Sequence, residues 1–372
     1  PTLVESSRAL LRDRLQSLGK LRLANQIARL GRLTAGQIDA ELCGYPALGL
    51  ARILTISEHE NFRKPRSAIR IEHETPVSAR IDGGNYPGFY AVYRAMEVAI
   101  EKAQANRFAV VGARNCWMSG RSAYYVEKIA RAGFACAHFA CSGDQVAPLG
   151  GKKSVLGTNP MAFGLPGEPH PFVLDVATSA TNNGDVILAG RLNQQLPEGV
   201  AIDPEGNPTR DPAAALAGSI LTFGGEKFGH KGFGLSLMTQ AMGLMAGTPI
   251  TEGRTADFGF LFVVFDPALL MPAEQFRAEL AELIARVKAT PRQPGVSEIR
   301  IPSEQAFRTR AQRRIDGFAL DRRIHRKRIA RDDLLNCFAG EIHIRRRYHA
   351  VGIGKRRTRI ETRNRGRRSL AD

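Results

Sequence analysis

The chain has 372 residues, 43% hydrophobic and 24% charged, enough for two or three structural units with apolar cores and no need of staples. No apolar run reaches the roughly 18 residues of a membrane span, and "PTLVESSRALLRDRLQSLGK" lacks the basic-then-apolar layout of a secretory leader, so a cytoplasmic, membrane-free protein is expected. The net charge of +17 suggests nucleic acid until it is located: residues 321–372 hold 17 Lys and Arg against 6 Asp and Glu, leaving only +6 to the first 320.

In chain order, Leu23, Ile27, Leu30, Ile38 and Leu42 carry helical periodicity interrupted by Gly31 and Gly36, which predicts two short helices. "CGYPALGLARILTISEHENF" reads as a turn and a further helix with Leu48 and Arg52 on one face. "RIDGGNYPGF" reads as a loop. "AVYRAMEVAIEKAQANR" follows as a helix with apolar residues at 92, 96, 99, 100 and 103. "FAVVGA" and "FACAHFAC" are buried strands around the helix "SAYYVEKIARAG", which suggests a β-α-β unit. The strand-like "PFVLDVAT" precedes a polar stretch with three turn signals, "PEG", "DPEGNP" and "RDP". A glycine loop comes next, then an apolar helix, the strand "DFGFLFVVFDP" and the helix "PAEQFRAELAELIARVKA", with Pro272 as its first residue. From about Arg322 the texture is Arg-rich and aperiodic, and such a tail is expected to stay disordered.

The five cysteines form no CxxC pair, so buried reduced thiols are expected rather than disulfides or zinc; Cys116 beside Trp117 reads as packed. His59-Glu60 and His73-Glu74 lack HExxH spacing, and no metal site is expected. "FGGEKFGHKGFG" places five glycines ahead of an apolar helix, where unpaired N–H groups and the helix dipole suit an anion. It lacks the third glycine of GxGxxG and any GxxxxGK[ST], so a phosphate cradle and a packing turn both stay open. Met238, Met242 and Met245 fall at helical spacing and suit core or dimer packing.

Six blocks, "IDGGNYPGFYAVYRAMEVAI", "VLGTNPMAFGLP", "LDVATSATNNGDV", "LPEGVAIDPEGNPTRDPAAAL", "FGHKGFGLSLMTQAMGLMAG" and "EIRIPSEQAF", resemble in order those of the malate/L-lactate dehydrogenase family. The resemblance covers residues 40–320. It implies an α/β fold peculiar to that family and not Rossmann-type: a central mixed sheet flanked by helices, with a helical N-terminal part. The implied organisation is 1–75, helical and packing with 265–322; 76–264, NAD(P)-binding and catalytic; 265–322, helical; and 323–372, the Arg-rich tail. It also implies a homodimer with the active site completed near the subunit contact, NAD or NADP as cofactor, and a small carboxylate substrate.

Carried over by position, Ser142, Asp175, Ala177, His230, Lys231 and Gly232 border the cofactor, and Pro302, Ser303 and Glu304 close over it. Thr158 and Arg52 contact the substrate carboxylate; a guanidinium suits a carboxylate through two parallel hydrogen bonds, with a surface arginine as the alternative. The family's Ser-His pair and its second histidine are replaced here by Ala47, Leu48 and Met118. Asp185 is retained without the imidazole it would orient. A positioned acid contributes roughly 10² to 10⁴-fold, so the proton must come from elsewhere: Tyr45, Lys231 or Asp185 through water. The expectation is NAD(P)-dependent hydride transfer at C2 of a 2-hydroxy or 2-oxo acid. Alternatives are a cyclic imino acid that brings its own proton, a catalytically weakened dinucleotide binder, and nucleic-acid binding through the basic tail.

Overall fold

The structure is a computed structural model that describes residues 35–319 apart from 63, 119, 252–253 and 256–257. The basic tail, Cys337 and most of the expected first helix pair lie outside the described residues. What is described there is helix α1 (35–42), which includes Gly36; a Cβ at Gly36 would rest 3.8 Å from the Tyr124 ring, ordinary packing.

Helix α2 (Ala51–Glu58) follows the turns at 43–50, then come strands β1 (Arg70–Glu74) and β2 (Ser78–Pro87), helix α3 (Gly88–Asn106), β3 (Phe108–Trp117), α4 (Ala123–Arg131) and β4 (Ala135–Cys141). Next are β5 (Met161–Leu165), β6 (Phe172–Val176), α5 (Asn183–Arg191), β7 (Ala201–Ile202), α6 (Pro212–Ala217), β8 (Ser219–Ile220) and α7 (Gly225–Met245). β9 (Ile250–Thr251), β10 (Arg254–Thr255), β11 (Phe258–Phe265), α8 (Ala273–Ala289) and α9 (Glu304–Asp316) complete the order. Seven strands form one sheet in the order β1-β2-β3-β11-β4-β5-β6. Only β2 and β3 pair in parallel; the other neighbours are antiparallel. The expected mixed sheet flanked by helices is therefore what forms.

Three readings are corrected. "RIDGGNYPGF" is all of β2 after its first two residues and the start of α3, not a loop. Gly83 fits the strand because a Cβ there would meet Cys116 Cβ at 2.8 Å, and Gly84, at φ +61°, turns the chain while its N–H donates to Asp82 at 2.9 Å. The register slips between Asp82 and Tyr86, a bulge that keeps the strand going past two glycines. In the β3-α4-β4 unit the two strands run parallel to each other but β11 inserts between them, antiparallel to both; the uninterrupted parallel crossover is β2-α3-β3. Finally, "GEKFGHKGFG" is already helix. The turn is confined to Gly224 and Gly225, at φ +106° and +58°, which only glycine adopts at low cost.

Helices α3 and α4 cover one face of the sheet, where Phe260, Phe262 and Val264 of β11 pack with Val92, Met96, Ala99 and Ala103 of α3 and with Val126 and Ile129 of α4. Burying each large apolar side chain is worth roughly 1.5–3 kcal/mol. α7 lies on the other face, so close that a Cβ on Gly243 would sit 1.9 Å from Cys141 Sγ. The polar stretch with turn signals forms a small core of its own from Val146, Leu156, Val186, Leu196, Val200 and Ile220. The described cysteines are buried thiols outside any disulfide, as expected; burial pushes the thiols of Cys43 to about 11 and Cys136 to about 12. Among the described residues no group of metal-ligating side chains forms, and no helix is long and apolar enough to cross a membrane.

Candidate active site

The site grows out of the turn at 43–50. Glu41, buried at the end of α1, accepts the Leu50 N–H at 3.0 Å, and Gly49 is where the chain must pass it, since a Cβ there would lie 2.1 Å from the carboxylate. This wrapping presents Tyr45 and Leu48 and starts α2 with Arg52 in its first turn. Leu48 and Arg52 do end up on the same side, although Leu48 belongs to the turn rather than to the helix.

A second wall comes from the "GTNP" turn. Asn159, fully buried, donates to the Ser236 carbonyl at 3.0 Å and to Gln240 at 2.8 Å, which pins Thr158 and Pro160 against α7. The end of β6 supplies Asp175, which accepts the Ala123 N–H at 2.7 Å at the start of α4. Burial raises the Asp175 carboxyl above the usual range, against these backbone hydrogen bonds and the charge of Arg121. Ser303, at φ +61°, closes the rim before α9. A non-glycine residue held there stores strain of a kind that clusters at functional sites.

These elements enclose a cavity of about 290 Å³. Of the expected site residues, Tyr45, Arg52, Ser142, Thr158, Asp175, Ala177, Pro302 and Ser303 line it, together with Leu48. Others stand apart from its wall. Asp185 is exposed on the first turn of α5, bonded to Asn182 at 2.9 Å, although its charge still reaches Arg52. His230 and Lys231 are exposed on α7, with the Lys231 ammonium 5.0 Å from the Phe228 ring centroid. Gly232 is a close-packing residue whose Cβ would strike the Phe223 carbonyl at 2.3 Å. Glu304 accepts from Lys288 at 2.6 Å and from the Ile301 N–H at 3.0 Å, fixing the turn into α9.

No described histidine lines the cavity. His138 is a core residue, stacked 4.2 Å from Phe262 and driven down to about 4 by burial. His59 stacks on Trp117 at 4.5 Å. Arg52 is desolvated: burial first, then the charge of Arg191, lowers it to about 10 against the opposing pull of Asp185, and its Nε has no partner. Ser142 Oγ is likewise buried without a partner, and Gly157 makes room for it, because a Cβ there would lie 2.3 Å away. Unpaired buried polar atoms around a small cavity mark places a ligand completes. Such a wall suits the reacting end of a nicotinamide and a small acid. Sequence reasoning missed Arg121, Ser122 and the 182–184 turn, because their partners lie tens of residues away in the chain.

A family model described as malate/L-lactate dehydrogenase matches residues 16–327. The chain belongs to that family. L-sulfolactate dehydrogenase of Methanothermobacter thermautotrophicus is 34% identical over 299 residues, 77% of this chain and 84% of that protein. Delta(1)-pyrroline-2-carboxylate reductase of Ancylobacter novellus is 36% identical over 262 residues, 66% of this chain and 73% of that protein. The solved structure of sulfolactate dehydrogenase from Methanocaldococcus jannaschii aligns at a TM-score of 0.67 and 33% identity, covering 81% of this chain and 92% of that one. As a malate/L-lactate dehydrogenase family member, the chain is a nicotinamide-dependent dehydrogenase or reductase.

Proposed function

We propose that the chain interconverts a small 2-oxo acid and its 2-hydroxy acid, with Arg52 and Thr158 holding the C1 carboxylate. The observation that carries this is the half-buried Arg52 guanidinium in the cavity wall, whose Nε is buried and unpaired. A buried unpaired donor costs roughly 1–3 kcal/mol, and a carboxylate arriving at the fork relieves it. NAD or NADP supplies or takes the hydride at C2. Ser142, Asp175, Ala177, Pro302 and Ser303 would hold its nicotinamide end, since they share the wall with Arg52. His230, Lys231, Gly232 and Glu304, outside that wall, remain candidates only for the rest of the dinucleotide.

On reduction the C2 oxygen gains a proton as C2 gains the hydride. Tyr45 carries the phenolic hydroxyl on the wall that can give it, and at 44% exposure it can be reprotonated from solvent. Asp185 acts through Arg52, its charge opposing the loss of the guanidinium proton. A second reading, a cyclic imino acid as substrate, is favoured by the missing imidazoles, because an iminium arrives already protonated.

We also propose that the chain is a homodimer through α7. Its outer side is apolar, and a large exposed apolar patch marks an interaction surface: Leu237, Met238 and Met245 are 52%, 50% and 67% exposed.

The test is a panel of 2-oxo acids and cyclic imino acids, each with NADH and NADPH. We expect turnover of 2-oxo acids and a loss of kcat/KM in Arg52→Gln of roughly 10- to 100-fold for every acid. An unchanged KM in that variant would remove the assignment of Arg52.

A further inference from the structure

Arg121 enters neither the sequence reading nor the chemistry just described, yet it lines the same cavity as Arg52. It is 4% exposed, immediately ahead of α4. Its Nη1 donates to Asp39 at 3.0 Å, and its guanidinium carbon lies 5.2 Å from the ring centroid of Tyr45. Its Nη2 is buried and has no partner; neither has the hydroxyl of Ser122 beside it, a residue only 2% exposed in the same wall.

The charge of Arg121 is only partly answered. Asp39 is shared, since its other oxygen takes Arg310 at 2.9 Å. Arg310 also bonds Glu127 at 2.6 and 2.8 Å, and Arg131 bonds Glu127 at 2.9 Å. Three guanidiniums thus divide two carboxylates in this cluster. Asp175, the carboxyl in the cavity wall, receives the N–H groups of Ser122 and Ala123 instead of the Arg121 fork. A rigid, buried cation with one face of its fork unspent fits a planar anion well.

Resting on the 2-oxo acid reading, we propose that Arg121 is a specificity-determining residue that receives a second anionic group of the substrate. The substrate class is then a small 2-oxo acid with a further carboxylate or sulfonate, held between Arg52 and Arg121. Two guanidiniums in one small cavity also disfavour an iminium at C2, which separates this class from the imino acids.

The experiment compares 2-oxosuccinate and 3-sulfo-2-oxopropanoate with 2-oxobutanoate, a monoanion of similar length, in wild type, Arg121→Gln and Arg121→Lys. If Arg121→Gln leaves Asp39 unbalanced and fails to fold, the double variant Arg121→Gln with Asp39→Asn removes both charges. Wild type should prefer the dianions. Arg121→Gln should lose roughly 10- to 100-fold in kcat/KM for them, mainly through KM, while 2-oxobutanoate changes less than about threefold. Arg121→Lys should recover part of the loss, and the dianion it favours tells carboxylate from sulfonate. Equal losses on all three acids, or a loss seen only in NADH affinity by fluorescence titration, would overturn the role of Arg121 and leave the 2-oxo acid reading standing. A wild type that reduces cyclic imino acids alone would overturn both.

Discussion

At the scale of single residues, the site turns on a substitution of function rather than of position. Leu48 stands in the cavity wall where the family resemblance puts an imidazole, and Met118, 5% exposed at φ +61°, has turned the second such position into packing. If Tyr45 supplies the proton, Tyr45→Phe should lower kcat for 2-oxo acids by roughly 10² to 10⁴-fold and barely change KM, because the ring and its contact with Arg121 are kept. Steady-state kinetics across pH decide it; a full kcat in the phenylalanine variant would move the proton source to Asp185 and water. Most of the cavity was legible from motifs, since Arg52, Thr158, Ser142, Asp175 and Ser303 sit in blocks with a family pattern. Arg121 was not, because its meaning depends on Asp39, 82 positions away, and on a cavity that only the fold creates.

At the scale of elements, hydrophobic runs located β3, β4, β6, β11 and the long helices to within a few residues, since their periods are set by burial on one or both faces. Two of the three corrected readings fall at glycines. Gly83, Gly84 and the run from Gly224 to Gly234 look alike in sequence, but some answer to close approach, some to positive φ, and Gly234 to neither: a Cβ there meets nothing within 4 Å. Gly234→Ala should therefore stabilise α7 by roughly 0.5–1 kcal/mol, whereas Gly232→Ala, driven against the Phe223 backbone, should cost about 1–3 kcal/mol. Urea midpoints of the two variants make the comparison, and equal effects would refute the packing account. The tie between α4 and α9 is testable by pH. Burial alone would raise the Glu127 carboxyl, but hydrogen bonds and charge from Arg310, with Arg131, hold it below its ordinary 4.5. A depressed carboxyl contributes stability that is full above its unfolded value and is lost as pH falls through the folded one. Glu127→Gln should cost about 2 kcal/mol or more near neutrality. That gap should close as the pH drops below about 4.5, the range in which the wild-type carboxyl also loses its charge. Denaturation curves at several pH values would show a constant gap if the pair contributed nothing.

At the scale of the whole molecule, α7 joins two proposed roles that the sequence presented as one glycine-rich motif. Its inner face carries Ser236, Thr239, Gln240 and Gly243, all buried, and through Asn159 it sets the turn that bears Thr158. Its outer face carries Phe228, Leu235, Met238 and Met245, an apolar stripe at helical spacing. A partner copy seated on that stripe would press on the same helix that positions the Thr158 turn, proposed above to hold the substrate. Wild type is thus expected to elute at twice the monomer mass, and Met238→Asp, which places a charge in an apolar contact, to shift it to monomer with roughly 100-fold weaker association. Because α7 supports Thr158 from behind, the monomer should also show a raised KM for the acid while the fold, followed by circular dichroism, is unchanged. Light scattering and kinetics on the same samples separate the possibilities. A monomeric wild type at micromolar concentration would rule out the dimer, and a monomeric variant with unaltered KM would show that the outer face and the substrate turn are independent.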